Sequence, residues 1–205
     1  GQRVDIVRAF RDAGAETLAT DIDPLAPALY HADRKALVPR IEDPTYVAAL
    51  AALVGDHDVG LIVPLTDLDH SVLARARAEL APALLLLPEA DVCDRMSDKL
   101  EAHRFFIEQG VASPRSWAPE DVPADARYPL LVKAREGFGS NHIFRADDPE
   151  QLDFFLRYTT VPSFVQERCL GVEFSIDVFC DMDARCLNAI PRTMIESKGP
   201  QSSQP

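Results

Sequence analysis

The sequence is organised around Leu131–Ser140, LVKAREGFGS. The apolar residues from Tyr128 to Val132 predict a short strand, which delivers Lys133 and then Arg135 into a loop. That loop is built on three small residues, Gly137, Gly139 and Ser140. Glycines allow positive φ and close approach of a ligand, and successive free N–H groups beside a lysine form an anion cradle. The stretch therefore predicts a polyphosphate site; a hairpin turn with solvated Lys133 and Arg135 is the structural alternative.

Two further motifs accompany this stretch. Ser97-Asp98-Lys99 lies upstream, and Gln166–Glu173, QERCLGVE, lies downstream. Together with the strand VKxR and the loop GxGS, they resemble the motifs of the ATP-grasp superfamily. The resemblance extends to IPR at Ile190–Arg192 and to an amino-terminal α/β lobe, and it covers nearly the whole chain. Within the superfamily, the chain looks most similar to carboxylate ligases of the carbamoyl-phosphate synthetase type.

The resemblance implies two domains. Residues 1–95 would form an α/β pre-ATP-grasp (Rossmann-like) lobe, and residues 96–205 an α+β ATP-grasp lobe with an antiparallel sheet. In the family a first strand with its glycine turn would precede Gly1, and the magnesium-binding carboxylates and asparagine would follow Pro205. No metal ligand is therefore expected within the chain. The chain departs from the pattern in two places: Ala134 stands where proline often follows the lysine, and Asn141-His142 replaces a small residue and a glycine.

Composition limits the partners. The chain has 205 residues, 47% of them hydrophobic, which is enough for two small lobes or one large one. A net charge of −12 disfavours a nucleic acid or an anionic membrane as partner, so a nucleotide would need the local basic patch of Lys99, Lys133 and Arg135. The longest apolar runs are too short to span a bilayer, and no signal-peptide pattern opens the chain. These features predict a cytoplasmic protein.

The four cysteines show no CxxC spacing, which argues against a structural metal. In a reducing compartment, free buried thiols are the default interpretation. We therefore expect neither disulfides nor a zinc site.

The first lobe reads as alternating helices and strands, which is typical of a doubly wound parallel sheet. One predicted helix, Thr45–Val54, should end at Gly55. Acidic residues at Asp21 and Asp23 could bind a ribose in a nicotinamide-dependent oxidoreductase. The glycine fingerprint of such a site is not seen, so turn chemistry is favoured there.

Asp67 and Asp69 follow the apolar strand predicted at Val59–Pro64. Thr66 and Asp69 have capping-box spacing, and this structural role would explain both residues. Because ligands collect beyond the carboxyl ends of parallel strands, Asp67 and Asp69 are also candidates to contact the acceptor substrate. The cap is the favoured interpretation.

The second lobe opens with a helix from Ser97 to about Gln109, with Ser97 as the expected N-cap. Lys99 in its first turn opposes the helix dipole. An exposed lysine paired with Asp98 or Glu101 is the structural interpretation, whereas the resemblance implies a contact with nucleotide phosphates. A hairpin, a helix and further strands follow, predicted at Asn141–Arg145, Glu150–Tyr158, Ser163–Gln166, Glu173–Cys180 and Cys186–Pro191.

The resemblance also implies a role for each site residue. Lys133 would hold the α- and β-phosphates, and the loop residues Gly137, Gly139 and Ser140 would close over the β- and γ-phosphates. The linker residues Glu167, Arg168 and Leu170 would offer backbone groups to adenine, and Glu173 would bind the ribose hydroxyls. Arg192 would reach the transferred phosphoryl group. An outward strand carboxylate and a surface ion pair are the alternatives for Glu173 and Arg192.

The implied function is an ATP-dependent, ADP-forming ligase that uses magnesium. A small-molecule carboxylate would become an acyl phosphate, and an amine or other nucleophile would displace the phosphate. Positioning and charge neutralisation carry such a reaction. The alternative is a non-catalytic ATP-binding module or a subunit of a larger synthetase. The sequence leaves the oligomeric state open, with a homodimer as one arrangement.

Overall fold

The computed structural model describes residues 3–137, 142–181 and 183–193. The chain divides into two compact units, Gly1–Asp94 and Arg95–Pro205. No helix among the described residues is long and apolar enough to cross a membrane. The predicted positions Gly139 and Ser140 lie outside the described residues.

The first unit alternates helices and short strands. Its elements are α1 (Val4–Asp12), β1 (Leu18–Asp21), β2 (Arg34–Leu37), α2 (Tyr46–His57), β3 (Leu61–Ile62), α3 (His70–Arg75) and β4 (Leu84–Leu85). Strand β1 pairs with β2 and β3 pairs with β4, both in parallel, so the described strands form two separate two-stranded sheets. The core contains Tyr46, Leu73, Leu80 and Leu85. This is an α/β unit with parallel pairing, whereas one continuous Rossmann-like sheet stays a prediction.

The prediction that α2 ends at Gly55 is wrong. The helix continues to His57. Asp58 then adopts the left-handed conformation with φ of 50°, and the N–H of Val59 donates to the carbonyl oxygen of Val54 at 3.0 Å. Val54 is buried, so packing of this last turn favours helix where an isolated glycine would end it.

Helix α4 (Ala90–Ser97) spans the division between the two units. The second unit then contains helix α5 (Lys99–Glu108). It continues with β5 (Ser116–Trp117), β6 (Leu130–Ala134), β7 (Ile143–Ala146), α6 (Pro149–Tyr158), β8 (Ser163–Glu167), β9 (Phe174–Cys180) and β10 (Cys186–Thr193). Strands β5 to β8 form one antiparallel sheet in the order β5-β8-β6-β7, which confirms the predicted antiparallel sheet of this lobe.

The core of this sheet contains Leu130, Val132, Ala146, Leu152 and Val165. Along β6, Leu130, Val132 and Ala134 are buried. Because side chains alternate across a strand, Leu131 and Lys133 point to the opposite face. Strand periodicity therefore separates the lysine from the apolar core that holds its strand in place.

Strands β9 and β10 form a separate two-stranded antiparallel sheet. Every described position is exposed except Ser175, which is half-buried. The register shifts by one residue between Cys186 and Asn188. The expectation of buried thiols is accordingly wrong for three cysteines: Cys93 is buried, but Cys169, Cys180 and Cys186 are exposed.

The predicted N-cap of α5 is also corrected. Ser97 is the last residue of α4, and Asp98 caps α5 by accepting hydrogen bonds from the backbone N–H groups of Leu100 and Glu101. Asp98 has extended backbone dihedrals, as an N-cap requires. Both Ser and Asp are good caps, so the sequence could not choose between adjacent positions.

Candidate functional site

Lys133 is the cation at the centre of the candidate site. It lies on β6, and its Nζ donates a 2.7 Å hydrogen bond to Oε1 of Gln166 on β8. Gln166 is fixed in turn, because its Nε2 donates to Oγ of Ser116 at 2.9 Å and that hydroxyl donates to the carbonyl oxygen of Pro114. Neutral partners thus orient the lysine. Within the described ranges, no carboxylate forms an ion pair with it.

Burial lowers the pKa of the Lys133 ammonium. The nearby Cys169 and Glu173 act in the opposite direction, and the positive charge of Lys99 lowers the pKa further. A buried cation beside a second cation favours a bound anion, because the anion would compensate for lost hydration and for repulsion. This is the electrostatic signature expected of a phosphate site.

Lys99 is held at the same place by backbone groups. Its N–H donates to the carbonyl oxygen of Arg135 at 2.8 Å, and its Nζ donates to the carbonyl oxygen of Gly137, also at 2.8 Å. The alternative pairing of its ammonium with Asp98 or Glu101 is not observed among the described residues. Hydrogen bonds therefore connect the first turn of α5 to the segment that follows β6.

Arg135 is held by carboxylates. Its Nε donates to Oδ2 of Asp98 at 2.8 Å, and a terminal nitrogen lies 3.4 Å from Oε1 of Glu101. Burial alone would raise the pKa of the Asp98 carboxyl, but the hydrogen bonds from Arg135 and from the backbone lower it overall. The guanidinium therefore ties α5 to the end of β6, while its predicted contact with a nucleotide stays a prediction.

The end of β8 and the segment after it carry the residues predicted to face adenine. The Glu167 carboxylate accepts hydrogen bonds from the backbone N–H of Arg115 at 2.9 Å and from its Nε at 2.7 Å, which lowers the pKa of Glu167. Arg168 is half-buried, and Leu170 is 82% exposed. Since the predicted contacts use backbone groups, these side-chain positions leave that prediction open.

Glu173 lies directly before β9, and Arg192 lies on β10 of the exposed hairpin. Glu173 is exposed, yet close enough for its charge to act on Lys133. Arg192 forms an ion pair with Asp177, with Nε 2.6 Å from Oδ2, and both side chains are 59% exposed. The surface ion pair weighed as the alternative for Arg192 is present, and its role at the transferred phosphoryl group stays a prediction.

Gly137 is the described part of the glycine loop. Its φ of 101° lies in the region that favours glycine, and among the described residues a Cβ added there would meet no atom within 4 Å. Conformation, not lack of space, therefore explains this glycine. His142 follows the undescribed residues with φ of 55°, so positive φ occurs on both sides of them.

Asp67 and Asp69 belong to the first unit, and the predicted capping box is wrong. Helix α3 begins only at His70, and the Asp69 carboxylate makes no cap hydrogen bond. Instead Asp69 is buried and accepts a 2.9 Å hydrogen bond from the Tyr46 hydroxyl. Burial raises the pKa of Asp69, opposed by that hydrogen bond. Asp67 is exposed, 4.0 Å from Nδ1 of His70.

The contacts and charges described above bring together Lys99, Lys133, Gly137 and Glu173. Arg192 is instead paired with Asp177 on the hairpin. Gln166 is the residue whose role sequence reasoning missed. Its position opposite Leu131 in the register places it on the face that Lys133 occupies. Strand alternation in both segments shows which side chains share a face within each strand. Predicting the contact between Lys133 and Gln166 also requires the pairing register of the two strands.

The described residues do not fit a magnesium site. They contain no group of three or more His, Cys, Asp or Glu residues that could hold a metal ion. Lys99 and Lys133 are instead suited to an anion. We therefore assign no metal ligand to this part of the chain.

Comparison with known families agrees with this arrangement. Residues 96–203 match the family described as "ATP-grasp domain", and residues 1–84 match "PylC-like, N-terminal domain". The first match covers more than half of the chain, so the chain belongs to the ATP-grasp family. A comparison with curated proteins gives no match.

Solved structures show the same fold at low identity. L-amino acid ligase from Bacillus licheniformis is 19% identical with a TM-score of 0.70, over 98% of this chain and 50% of its own. N5-carboxyaminoimidazole ribonucleotide synthetase from Thermotoga maritima is 18% identical with a TM-score of 0.67, over 92% and 50%. The biotin carboxylase domain of Hydrogenobacter thermophilus 2-oxoglutarate carboxylase, solved with MgADP and bicarbonate, is 20% identical with a TM-score of 0.67, over 91% and 46%.

The chain spans half or less of the length of these three structures. By name they are a ligase, a synthetase and a carboxylase domain, and at these identities the likeness shows a shared fold.

Proposed function

We propose that the protein is an ADP-forming, ATP-dependent carboxylate ligase. A substrate carboxylate would take the terminal phosphoryl group of ATP to give an acyl phosphate, and an amine or other nucleophile would then displace the phosphate. The single observation that carries the proposal is the half-buried ammonium of Lys133, held by a neutral amide beside Lys99. Membership of the ATP-grasp family supports it.

The two lysines of the site have defined roles in this proposal. Lys133 would bind the α- and β-phosphates, oriented by Gln166 through the 2.7 Å hydrogen bond. Lys99 would add a second positive charge while its contact with Gly137 positions the start of the glycine loop. Such fixed charges stabilise a phosphoryl-transfer transition state without reorganising as the reaction proceeds.

The adenosine side of the site would lie against the segment from Glu167 to Glu173. Backbone groups of Glu167, Arg168 and Leu170 would meet adenine, and the Glu173 carboxylate would accept from the ribose hydroxyls. The ion pair between Glu167 and Arg115 would fix the start of that segment. Arg192 would exchange Asp177 for the transferred phosphoryl group, because the exposed pair is weak enough to open.

The proposal also covers the identity of the two domains, the substrates, the cofactor and the cellular location. We place the first unit as a Rossmann-like pre-ATP-grasp domain and the second as the nucleotide-binding domain, with the likeness to carbamoyl-phosphate synthetases as a finer proposal. The substrates would be a small-molecule carboxylate and an amine, with magnesium as cofactor, in the cytoplasm. A homodimer is compatible with these assignments, and the Hydrogenobacter carboxylase domain is described as a dimer.

The test is ADP release by the full-length protein from ATP and magnesium, across a panel of amino acids and other small carboxylates. We expect one compound class to stimulate release, and we expect Lys133→Met to abolish that stimulation. Lys35→Met is the matched control, because Lys35 lies in the first unit against the Tyr30 ring. If ATP binds and no compound stimulates turnover, a non-catalytic ATP-binding module replaces the ligase.

A further inference from the structure

Cys180 and Cys186 face each other across the β9–β10 hairpin. They are direct partners in the antiparallel register, and both thiols are free and exposed. The Asp181 carboxylate, which accepts from the N–H groups of Asp183 and Arg185, organises the turn between them. The hairpin therefore holds two accessible thiols opposite one another.

The hydrogen-bond pattern defines which kind of pair this is. The N–H of Asp181 donates to the carbonyl oxygen of Arg185 at 3.0 Å, and the N–H of Arg185 donates to the Asp181 carboxylate. Asp181 and Arg185 therefore occupy the hydrogen-bonding position of the ladder next to the turn. Because hydrogen-bonded and non-hydrogen-bonded pairs alternate along an antiparallel ladder, the next pair, Cys180 and Cys186, is non-hydrogen-bonded.

This position suits a disulfide. Opposite residues at a non-hydrogen-bonded pair have Cα atoms about 4.5 Å apart and side chains on one face. A disulfide needs Cα atoms about 4.4 to 6.8 Å apart. The register shift falls after Cys186, so it leaves this pair intact. In the reduced form the Cys186 thiol donates weakly to the carbonyl oxygen of Asn188, 3.5 Å away.

We propose that Cys180 and Cys186 form a redox modification site, a dithiol that a small-molecule disulfide such as oxidised glutathione converts to an intramolecular disulfide. One thiolate attacks the small disulfide, which releases one small thiol and leaves a mixed disulfide on the protein. The second thiolate then attacks the protein sulfur and expels the second small thiol. Two S–H bonds and the small S–S bond are exchanged for one protein S–S bond and two small thiols, so electrons and protons balance.

The other cysteines provide internal comparisons. Cys93 is buried, with its thiol donating to the carbonyl oxygen of Pro88. Cys169 is exposed in the segment after β8, outside any strand. In the part of the chain that the structure describes, no strand register places a cysteine opposite Cys169. Cys169 should therefore stop at the mixed disulfide, whereas the hairpin pair should proceed to the intramolecular bond. The inference stands on the hairpin register and does not depend on the proposed ligase activity.

Peptide mapping tests the proposal on the full-length protein treated with oxidised glutathione and then alkylated under denaturing, non-reducing conditions. Trypsin cleaves after Arg168, Arg185 and Arg192, so Cys180 falls in residues 169–185 and Cys186 in residues 186–192. We expect a disulfide between these two peptides, and we expect dithiothreitol to remove it. On a non-reducing denaturing gel the protein should run as a single chain, with no disulfide-linked dimer.

Two variants separate the possible pairings, because Cys169 shares a peptide with Cys180. The link should persist in Cys169→Ser and be lost in Cys180→Ser. A link that survives only in Cys180→Ser, a disulfide-linked dimer, or glutathione left on both Cys180 and Cys186 would each overturn the proposal. All of these readouts are independent of ATP binding.

Discussion

The strand β6 and the hairpin β9–β10 are both antiparallel, and both carry a cation assigned to the proposed site. Strand β6 lies between two partners, its alternate side chains are buried, and Lys133 is half-buried against a neutral amide. The described hairpin residues are almost all exposed, and Arg192 is paired with a carboxylate. The surroundings of a cation, more than its residue type, therefore decide whether it is available to an anion.

The physical reason is the cost of burying charge. An exposed guanidinium keeps much of its hydration and gains little from its carboxylate. An ammonium that has lost hydration and lies near a second cation gains much more from an incoming phosphate. Arg135 illustrates an intermediate case, because Asp98 and Glu101 already compensate its charge.

The largest expected difference between the two regions is in packing. Leu130→Ala on β6 should lower the free energy of unfolding by about 3 kcal/mol, because Leu130 is fully buried in the sheet core. Ile176→Ala on β9 is the matched truncation at a residue that is 60% exposed, and it should change stability by about 0.5 kcal/mol or less. Urea unfolding measures both. Equal losses would show that the hairpin is packed as tightly as the sheet.

Next in size is the junction between α5 and β6. Asp98→Ala should cost about 2 kcal/mol, since it removes the N-cap and leaves Arg135 without its main partner. Asp98→Asn keeps a capping side chain and should cost less. Urea unfolding of the three proteins at neutral pH checks the order, and equal losses in both variants would show that the cap contributes nothing.

The pH dependence of this junction has a defined sign. The pKa of Asp98 is lower in the folded protein than its ordinary value of 3.8. The Asp98 carboxylate therefore stabilises the folded protein at pH values above 3.8. This stabilisation is lost as the pH falls through the folded-state pKa. The stability gap between wild type and Asp98→Asn should therefore narrow in acid. A gap that stays constant or widens would contradict the lowered pKa.

A smaller effect is expected from changing the partner of Lys133. Gln166→Glu would place a carboxylate where the ammonium now binds a neutral oxygen, and this charge would compete with phosphate. We expect the dissociation constant for ATP to rise about tenfold. Gln109→Glu, at the other end of α5, adds the same charge as a control. Calorimetric titration would contradict the account if both variants bound ATP alike.

The smallest effect concerns the hairpin ion pair. Asp177→Asn should change the free energy of unfolding by about 0.5 kcal/mol or less, because both partners are 59% exposed. Thermal unfolding at low and high salt measures this. A loss that is large and independent of salt would mean that Arg192 is more tightly held than its exposure indicates.

Much of the second unit could be predicted from sequence. The apolar run into Lys133, the Asp-Pro start of α6 and the strand predicted at Ser163–Gln166 are local signals. Each element is present, and the last strand extends to Glu167. What local signals could not supply was tertiary pairing. The Lys133–Gln166 contact and the Arg135–Asp98 ion pair join residues more than thirty positions apart.

The errors have the same cause. Thr66 and Asp69 have the spacing of a capping box, but burial of Asp69 against Tyr46 redirects its carboxylate. Gly55 would end an isolated helix, but packing of Val54 carries α2 onward. The cysteines were expected inside by residue type, whereas the hairpin places two of them outside. In each case the surrounding fold overrides a local preference.

The most direct test of the account is a paired measurement on Lys133→Met. The methionine keeps the apolar stem and removes a charge that burial disfavours, so the free energy of unfolding should be unchanged or higher by up to about 1 kcal/mol. Calorimetric titration should show ATP binding weakened about a hundredfold, as loss of a charged contact predicts. Unchanged ATP affinity in a folded Lys133→Met protein would contradict the assignment of Lys133 as the phosphate-binding cation.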